Sequence, residues 1–178
     1  MCDITDEEKQ KVVEDICETA KPGDMLEFDR GQYNHWAIYI GDGYVIHRWN
    51  NDSGTEQSTS FWESIMTNSG AQSDNGKIVK SKLFDVLKYG IKVRVNNYLD
   101  SERQPLDGQV IVEKAKRVIG QKGYDLICCN CEHFATECRY GVPISRQVDI
   151  IGVLLFSIVL LNGTKLISSI SKTGASQK

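Results

Sequence analysis

The sequence predicts one globular domain built from helices and antiparallel strands, followed by an apolar C-terminal segment. Its 178 residues are enough for a single domain with extensions. Hydrophobic residues make up 40% and charged residues 25%, which is the balance of a folded protein. The 21 basic and 24 acidic side chains give a net charge of −3, so we expect no broad basic surface and no nucleic-acid partner.

The first predicted element is a surface helix at 6–19. Thr5 and Glu8 are spaced as a capping box, in which each side chain bonds a free backbone N–H at the start of a helix. The Pro-Gly-Asp sequence at 22–24 ends the helix, and a strand is predicted to begin at Met25.

The central prediction is a β-hairpin with strands at 35–40 and 44–47, joined by a Gly-Asp-Gly sequence. The polar stretch at 50–76 predicts a long surface loop, in which 61–62 and 65–66 form one docked helical turn. The remaining predicted elements are strands at 77–79 and 91–95 and helices at 108–119 and 130–140.

The C-terminal segment carries an apolar run at 150–161, which is shorter than the roughly 20 residues that a membrane-spanning helix needs. After Leu161 the chain has three lysines and no acidic side chain, which suits an anionic membrane surface. A buried core helix is the alternative. We favour a membrane-associating tail, because the compact domain is predicted to be complete by about residue 147.

The start of the chain is acidic and lacks the apolar core of a secretory signal. We therefore expect a protein on the cytoplasmic side, where its six cysteines are free thiols.

A candidate nucleophile lies at the start of the last predicted helix. Asn130 is a good N-cap, which places Cys131 in the first turn. There the free N–H groups and the helix dipole favour a thiolate, so the pKa of the thiol is expected to be lowered. The same amides could hold a developing oxyanion. A buried structural cysteine is the alternative interpretation.

The neighbours of Cys131 are poor partners for it. His133 lies about 200° around the helix axis from Cys131, so we expect a packed or hydrogen-bonded histidine rather than a catalytic base. A zinc site with Cys128 and Cys129 is disfavoured, because no second ligand pair completes a tetrahedral set. Cys138 is ~10 Å further along the helix axis, which is too far for a disulfide with Cys131.

The other two histidines, His35 and His47, lie on the predicted hairpin, whose register decides whether they share a face. A two-residue loop places them on opposite faces. A three-residue loop pairs Ala37 with His47 and Trp49 with His35, and so places both imidazoles on one face. The glycines favour the three-residue loop, which needs a left-handed residue. With Cys131 at a helix start, this arrangement indicates a thiol-dependent catalytic site, although two core histidines remain the alternative.

Several segments, taken together, resemble a known family. They are PGD at 22–24, NHWAIYIGDGYVIH at 34–47, VNN at 95–97, NCEHF at 130–134 and RYGV at 139–142. In this order they resemble the H-Ras-like suppressor family, which comprises phospholipase A and acyltransferase enzymes related to lecithin:retinol acyltransferase. The resemblance covers roughly 21–147, and the tail is similar to the C-terminal membrane anchor of that family.

The resemblance implies an α+β fold of the circularly permuted papain-like type, with an antiparallel sheet, a cysteine-bearing helix and a C-terminal hydrophobic anchor. It implies a lecithin:retinol acyltransferase-like catalytic domain at 21–147 and a membrane-associating tail at 148–178, and the helix predicted from the residues makes 1–20 an N-terminal helical extension. Two departures leave substrate preference open. A helix replaces the short proline-containing leader of the family, and the stretch at 50–76 is unusual in composition.

By the same resemblance, Cys131 is the nucleophile, His35 the general base and His47 the residue that orients His35, while Tyr33 assists the oxyanion. The implied activity is that of a phospholipase A1/A2 and an O- and N-acyltransferase. An acyl chain of a glycerophospholipid passes through a thioester to water, to a lysophospholipid or to the amine of phosphatidylethanolamine. No metal or cofactor is implied, and the expected location is the cytoplasmic face of membranes.

Two other functions stay open on the sequence. A papain-like thiol peptidase or amidase would use the same chemistry, although a peptide substrate would not require a membrane tail. A membrane-tethered, non-catalytic interaction protein is the other alternative. It is disfavoured because all three candidate catalytic residues are present.

Overall fold

The computed structural model describes residues 5–31, 33–50, 73–124 and 130–150, together with positions 152, 153, 156 and 157. The contacts within the chain divide it into two units, Met1–Ser145 and Arg146–Lys178. The first unit combines helices with an antiparallel sheet, so the predicted α+β class and the cysteine-bearing helix are confirmed. The circular permutation and the papain-like type stay predictions.

The first helix of this unit follows its predicted capping signal, whereas the short helix at Leu83–Val86 was not predicted and has no side-chain cap. Thr5 Oγ1 accepts a hydrogen bond from the Glu8 N–H and the Glu8 carboxylate accepts one from the Thr5 N–H, so the predicted capping box is confirmed. The described helices are α1 (Asp6–Thr19), α2 (Leu83–Val86), α3 (Gly108–Arg117) and α4 (Cys131–Tyr140), and a 3-10 turn at Leu87–Tyr89 follows α2. Helix α3 is shorter than predicted, because the chain leaves it through tighter turns at Lys116–Ile119 and Val118–Gln121.

Six strands form one antiparallel sheet in the described part of the chain, in the order β5-β1-β2-β3-β4-β6. Their bounds are β1 (Met25–Asp29), β2 (Asn34–Gly41), β3 (Tyr44–Asn50), β4 (Ser73–Lys82), β5 (Val93–Val95) and β6 (Lys122–Tyr124).

The first residues of β4 correct the predicted loop at 50–76. Residues 73–76 belong to the strand, and Gly76 pairs with Asn50 of β3. These residues are polar or glycine and have low strand propensity, so pairing with β3 and β6 decides their conformation. The rest of the predicted loop, including the helical turn at 61–66, lies outside the described residues.

The hairpin reaches the predicted register by a different route. Ala37 pairs with His47, as predicted, but the turn itself has two residues, Asp42 and Gly43, with φ values of 52° and 70°. Such angles match a type I′ turn, for which Asp-Gly is a preferred sequence. A β-bulge between Tyr39 and Gly41 supplies the extra residue. The prediction of a three-residue loop is therefore wrong in detail. Of the two pairs that it implied, Ala37–His47 is confirmed, whereas the ladder ends before His35 and Trp49.

Each face of the sheet has its own core. On one face, β1, β2, β3 and β4 pack against α3 and α4; the buried residues there include Met25, Trp36, Ile38, Ile46, Ile78, Ile111, Cys131 and Phe134. On the opposite face the strands pack against α1 and α2, and this core includes Ile16, Leu26, Phe28, Ala37, Val45, Leu83 and Val86. Because α1 contributes to this second core, it belongs structurally to the first unit.

The second unit is described at 146–150 and at positions 152, 153, 156 and 157, all of which are helical. Among the residues that the structure describes, no helix is both long enough and apolar enough to cross a bilayer. Most of the predicted tail lies outside the described residues, so the C-terminal anchor stays a prediction.

Two glycines let the start of α3 pack directly on the turn before β1. A Cβ atom at Gly108 would lie 2.6 Å from the Pro22 carbonyl oxygen, and one at Gly23 would lie 2.9 Å from the Gly108 Cα. Since the opposing atoms are backbone, neither side can yield by a rotamer change.

We predict that Gly108→Ala lowers the free energy of unfolding by about 2 kcal/mol through overpacking. The measurement is chemical unfolding of the variant and of Gln109→Ala, which changes the exposed next residue of the same helix and serves as the control. Equal stability of Gly108→Ala and the unchanged protein would show that the backbones separate at little cost.

Candidate active site

The start of α4 is fixed by Asn130 and His133. The Asn130 side chain accepts a hydrogen bond from the His133 N–H at 2.9 Å, and His133 Nδ1 accepts one from the Asn130 N–H at 3.4 Å. The predicted N-cap is confirmed. The expectation that His133 is a hydrogen-bonded residue is also confirmed, because its ring closes the cap of the helix that carries Cys131.

A buried carboxylate also fixes the first turn of α4. Glu132 is 1% exposed and accepts hydrogen bonds from the Tyr98 hydroxyl at 2.9 Å and the Ser145 hydroxyl at 2.5 Å. The Asn130 side-chain amide lies 3.2 Å from the Ser145 hydroxyl oxygen. The residues on both sides of Cys131 are therefore tied to neighbouring segments.

The other end of α4 is held by a buried arginine. The Arg139 guanidinium bonds both carboxylate oxygens of Asp100 at 2.9 and 2.6 Å, and it also contacts Asp24 and the Gly23 carbonyl oxygen. Asn97 bonds the Asp24 carboxylate as well. Helix α4 is thus fixed at both ends.

The thiol of Cys131 lies at the edge of β2 that faces β3. Its Sγ is 3.9 Å from the Asn34 carbonyl oxygen, and the Trp36 N–H also interacts with it. The backbone of Tyr39 bonds the β1 side, so alternation directs the backbone groups of residues 34 and 36 towards β3. The β2–β3 ladder runs only as far as the Ala37–His47 pair. The sulfur therefore contacts the two residues that flank His35, where β2 has left its partner strand.

Burial, rather than the helix terminus, sets the charge state of this thiol. Cys131 is 5% exposed, and desolvation raises the pKa of Cys131 to about 12. The N–H groups of Trp36, Cys131 and Glu132 act in the opposite direction, and the Glu132 carboxylate adds to the rise. The prediction of a lowered pKa is wrong for the substrate-free protein, because the loss of water outweighs the dipole and the amides.

The two strand histidines form one hydrogen-bonded pair. His35 Nε2 lies 2.9 Å from His47 Nδ1, and the rings meet edge to face with centroids 4.9 Å apart. Trp49 contacts both rings and Phe28 contacts the ring of His35. The prediction that both imidazoles lie on one face of the hairpin is confirmed.

Both imidazoles are neutral at pH 7. Burial, followed by the neighbouring His47 and by Arg30, holds the pKa of His35 well below its usual value. Burial and Arg30 lower the pKa of His47 to about 4. Arg30 stacks over Phe28 and bonds the carbonyl oxygens of Val86 and Gly90, so its charge is held close to the pair.

The candidate residues occupy neighbouring positions, but they are not all bonded to one another. Cys131 and His35 are fully described, and no hydrogen bond joins the thiol to either imidazole in this arrangement. Since His35 Nε2 is engaged by His47, Nδ1 is the ring nitrogen left to take a proton. Tyr33 is 40% exposed, and burial and the nearby Cys131 raise the pKa of its hydroxyl, which remains a neutral donor.

The profile of the lecithin retinol acyltransferase family matches residues 18–144, which is most of the chain. The chain belongs to the lecithin retinol acyltransferase family. A human protein named phospholipase A and acyltransferase 4 is 42% identical over 130 residues, covering 72% of this chain and 75% of its own. The mouse phospholipase A and acyltransferase 3 is 45% identical over 129 residues, with the same coverage. Human phospholipase A and acyltransferase 2 is 40% identical over 127 residues, covering 71% and 74%.

One residue of this site, Ser81, was not predicted from the sequence. Ser81 Oγ lies 3.0 Å from His47 Nε2, the ring nitrogen that His35 does not use. Period-two alternation places Val79 and Ser81 on one face of β4, but only the β3–β4 register shows that this face meets His47. Because Ser81 lies in a lysine-rich strand, the local sequence does not indicate that its hydroxyl contacts a histidine.

The charge state of Cys131 has a measurable consequence. Because the resting thiol is protonated, we predict that its alkylation by iodoacetamide accelerates about tenfold per pH unit between pH 7 and 9, as the thiolate fraction grows. Peptide mass spectrometry with fragmentation measures the rate, with the exposed Cys17 as the control for reagent reactivity. A rate that is already constant below pH 7 would instead indicate a resting thiolate–imidazolium ion pair.

Proposed function

We propose that the chain is a thiol-dependent phospholipase A and acyltransferase that acts on glycerophospholipids. Family membership supports the general activity, and relatives that are 40–45% identical carry both activities in their names. The observation that carries the proposal is the Cys131 thiol beside the residues that flank His35, whose ring is in turn bonded to His47.

In the proposed reaction His35 acts as a general base on a neutral thiol. As the sulfur attacks the ester carbonyl, the S–H proton moves to His35 Nδ1 and an S–C bond forms. The resulting oxyanion is within reach of the Cys131 and Glu132 amides, each worth about 3 kcal/mol in other enzymes, and of the Tyr33 hydroxyl. The C–O bond then breaks, and the lysophospholipid leaves with the proton held by His35.

The second half-reaction determines the product. The acyl group remains on Cys131 as a thioester, and an acceptor gives a proton to His35 as it attacks. Water as acceptor completes a phospholipase A reaction. A lysophospholipid hydroxyl gives O-acylation, and the amine of phosphatidylethanolamine gives N-acylphosphatidylethanolamine. In each case the thiol recovers its proton from His35.

A cavity that is lined by Asn34, but not by Cys131 or the two histidines, is available for part of the substrate. It has a volume of about 610 Å³ and is lined by Asn34, whose carbonyl contacts Cys131. Val12 and Ile16 of α1 and Val93 of β5 supply apolar walls, while Lys92 and Arg94 supply cationic groups. Both cations are paired with carboxylates of the same lining, Lys92 with Asp29 and Arg94 with Glu27, and Asp15 adds a third carboxylate. The apolar walls therefore suit an acyl chain, whereas the charged part of the lining does not select an anionic head group. The helix that replaces the short leader of the family therefore forms one wall.

We predict that Cys131→Ser and Cys131→Ala each lower turnover of a doubly labelled phosphatidylcholine by about 10³-fold or more, while the protein stays folded. Serine is far less acidic than cysteine, and alanine has no nucleophile. Both products are read with and without phosphatidylethanolamine, and intact mass detects the thioester.

The exposed Cys17→Ala variant is the matched control and is expected to keep full activity. Unchanged turnover in Cys131→Ala would exclude the covalent route. Cleavage of a peptide library without turnover of phospholipid would replace the proposal with a thiol peptidase.

We further propose that residues 148–178 attach the enzyme to the cytoplasmic face of membranes, because the segment is apolar at its start and basic at its end. Removing it is expected to move the protein into the soluble fraction and to reduce activity on vesicles more than on dispersed lipid. Fractionation and both assays measure this, with an unrelated anchor fused at position 147 as the control. A truncated protein that stays on membranes would refute the role of the tail.

A further inference from the structure

We propose that Ser81 is a positioning residue of the site, and that its hydroxyl accepts the Nε2–H of His47 in the tautomer that lets His35 accept a proton. The inference rests on the proposed role of His35 as general base. It adds a residue of β4 to the three candidate catalytic residues, Cys131, His35 and His47.

The geometry places Ser81 at the end of a chain of two hydrogen bonds. In the β3–β4 register His47 is opposite Val79 and Ser81 is opposite Val45, so Ser81 and His47 are diagonal neighbours on one face. His47 Nε2 is 3.0 Å from Ser81 Oγ, and His47 Nδ1 is 2.9 Å from His35 Nε2. Because His47 is 2% exposed, bulk water does not decide which ring nitrogen carries its proton.

Two proton arrangements satisfy this chain when both imidazoles are neutral. In the first, His35 Nε2–H donates to His47 Nδ1, and His47 Nε2–H donates to Ser81 Oγ. His35 Nδ1 is then unprotonated and can act as a base. In the second, the Ser81 hydroxyl donates to His47 Nε2, and His47 Nδ1–H donates to His35 Nε2. The remaining proton of His35 then lies on Nδ1, which cannot accept another.

The reaction itself requires the first arrangement. When His35 takes the thiol proton it becomes a cation, and its Nε2–H must donate to His47 Nδ1. His47 therefore keeps its own proton on Nε2, and Ser81 Oγ is the described acceptor for that N–H. Without the hydroxyl, a buried N–H would lose its partner at the moment when His35 becomes charged, and the charged state would be destabilised.

The group that accepts the His47 N–H is neutral, although charged and titratable groups lie around the histidine pair. Arg30, from the connection between β1 and β2, acts electrostatically on both imidazoles. The titratable side chains at the adjoining ends of β2 and α4 are Tyr33, directly before β2, and Cys131, Glu132 and His133 in the first turn of α4. On β4 the group bonded to His47 is the uncharged hydroxyl of Ser81. The hydroxyl oxygen can accept a hydrogen bond from the His47 Nε2–H, and His47 stays neutral.

The kinetic test compares Ser81→Ala with Ser81→Thr, which keeps the hydroxyl, and with Lys82→Ala, an exposed control on the same strand. Ser81→Ala is expected to lower kcat roughly ten- to hundredfold with KM little changed. Its pH profile of kcat/KM should also move its acid limb to lower pH, because the cation of His35 has lost stabilisation. Thr is expected to restore both. A Ser81→Ala enzyme with unchanged kcat and pH profile overturns the proposal.

A direct readout of tautomers separates this role from a structural one. The chain has three histidines, so ¹⁵N-histidine labelling gives a spectrum that single substitutions can assign. The unchanged protein should show His47 protonated at Nε2, and Ser81→Ala should shift His47 towards the Nδ1-protonated form. An unchanged His47 tautomer in Ser81→Ala overturns the inference, even if activity falls. If Cys131→Ala retains activity, the proposed function fails while the tautomer result still stands or falls by itself.

Discussion

The buried carboxylate of Glu132 fixes the first turn of α4, and the placement of Cys131 depends on it. Glu132 is held by the Tyr98 and Ser145 hydroxyls, which belong to segments before α3 and after α4. Because Glu132 directly follows Cys131, any movement of the thiol would pull this carboxylate away from its donors. A buried carboxylate without partners costs several kcal/mol, so the first turn has little freedom. The thiol can therefore lie beside an open strand edge without being bonded to a base.

The thiol that is held in this rigid turn is protonated rather than a resting thiolate. The same burial that holds Cys131 in place raises the pKa of its thiol, and burial and Arg30 together lower the pKa of His47. A neutral His47 can accept the hydrogen bond that a cationic His35 must donate, whereas a cationic His47 could not. In the proposed reaction, charge therefore forms in the site only when a substrate carbonyl is attacked. This agrees with general-base catalysis better than with a preformed ion pair.

The sequence was most informative where chemistry is encoded in local spacing. The capping box of α1, the Asn130 cap and the shared face of His35 and His47 follow from residue types a few positions apart. Details that depend on distant partners could not be predicted in this way. The low-propensity start of β4 becomes a strand only through pairing with β3 and β6. Likewise, only the β3–β4 register brings Ser81 to His47, and the thiol pKa depends on burial that helix position does not reveal.

Three of the five segments that carry the family resemblance serve the fold rather than the chemistry. Asp24 of the first segment, Asn97 of the third and Arg139 of the last meet in one polar cluster at the C-terminal end of α4. This cluster lies at the opposite end of the helix from Cys131. A related chain could keep it intact, fold in the same way and still lack activity. The groups on which activity would depend lie at the other end of α4. There a sulfur, two imidazoles and a serine hydroxyl come from four separate elements. Family membership alone cannot establish that arrangement, which is why the function must be argued from these atoms.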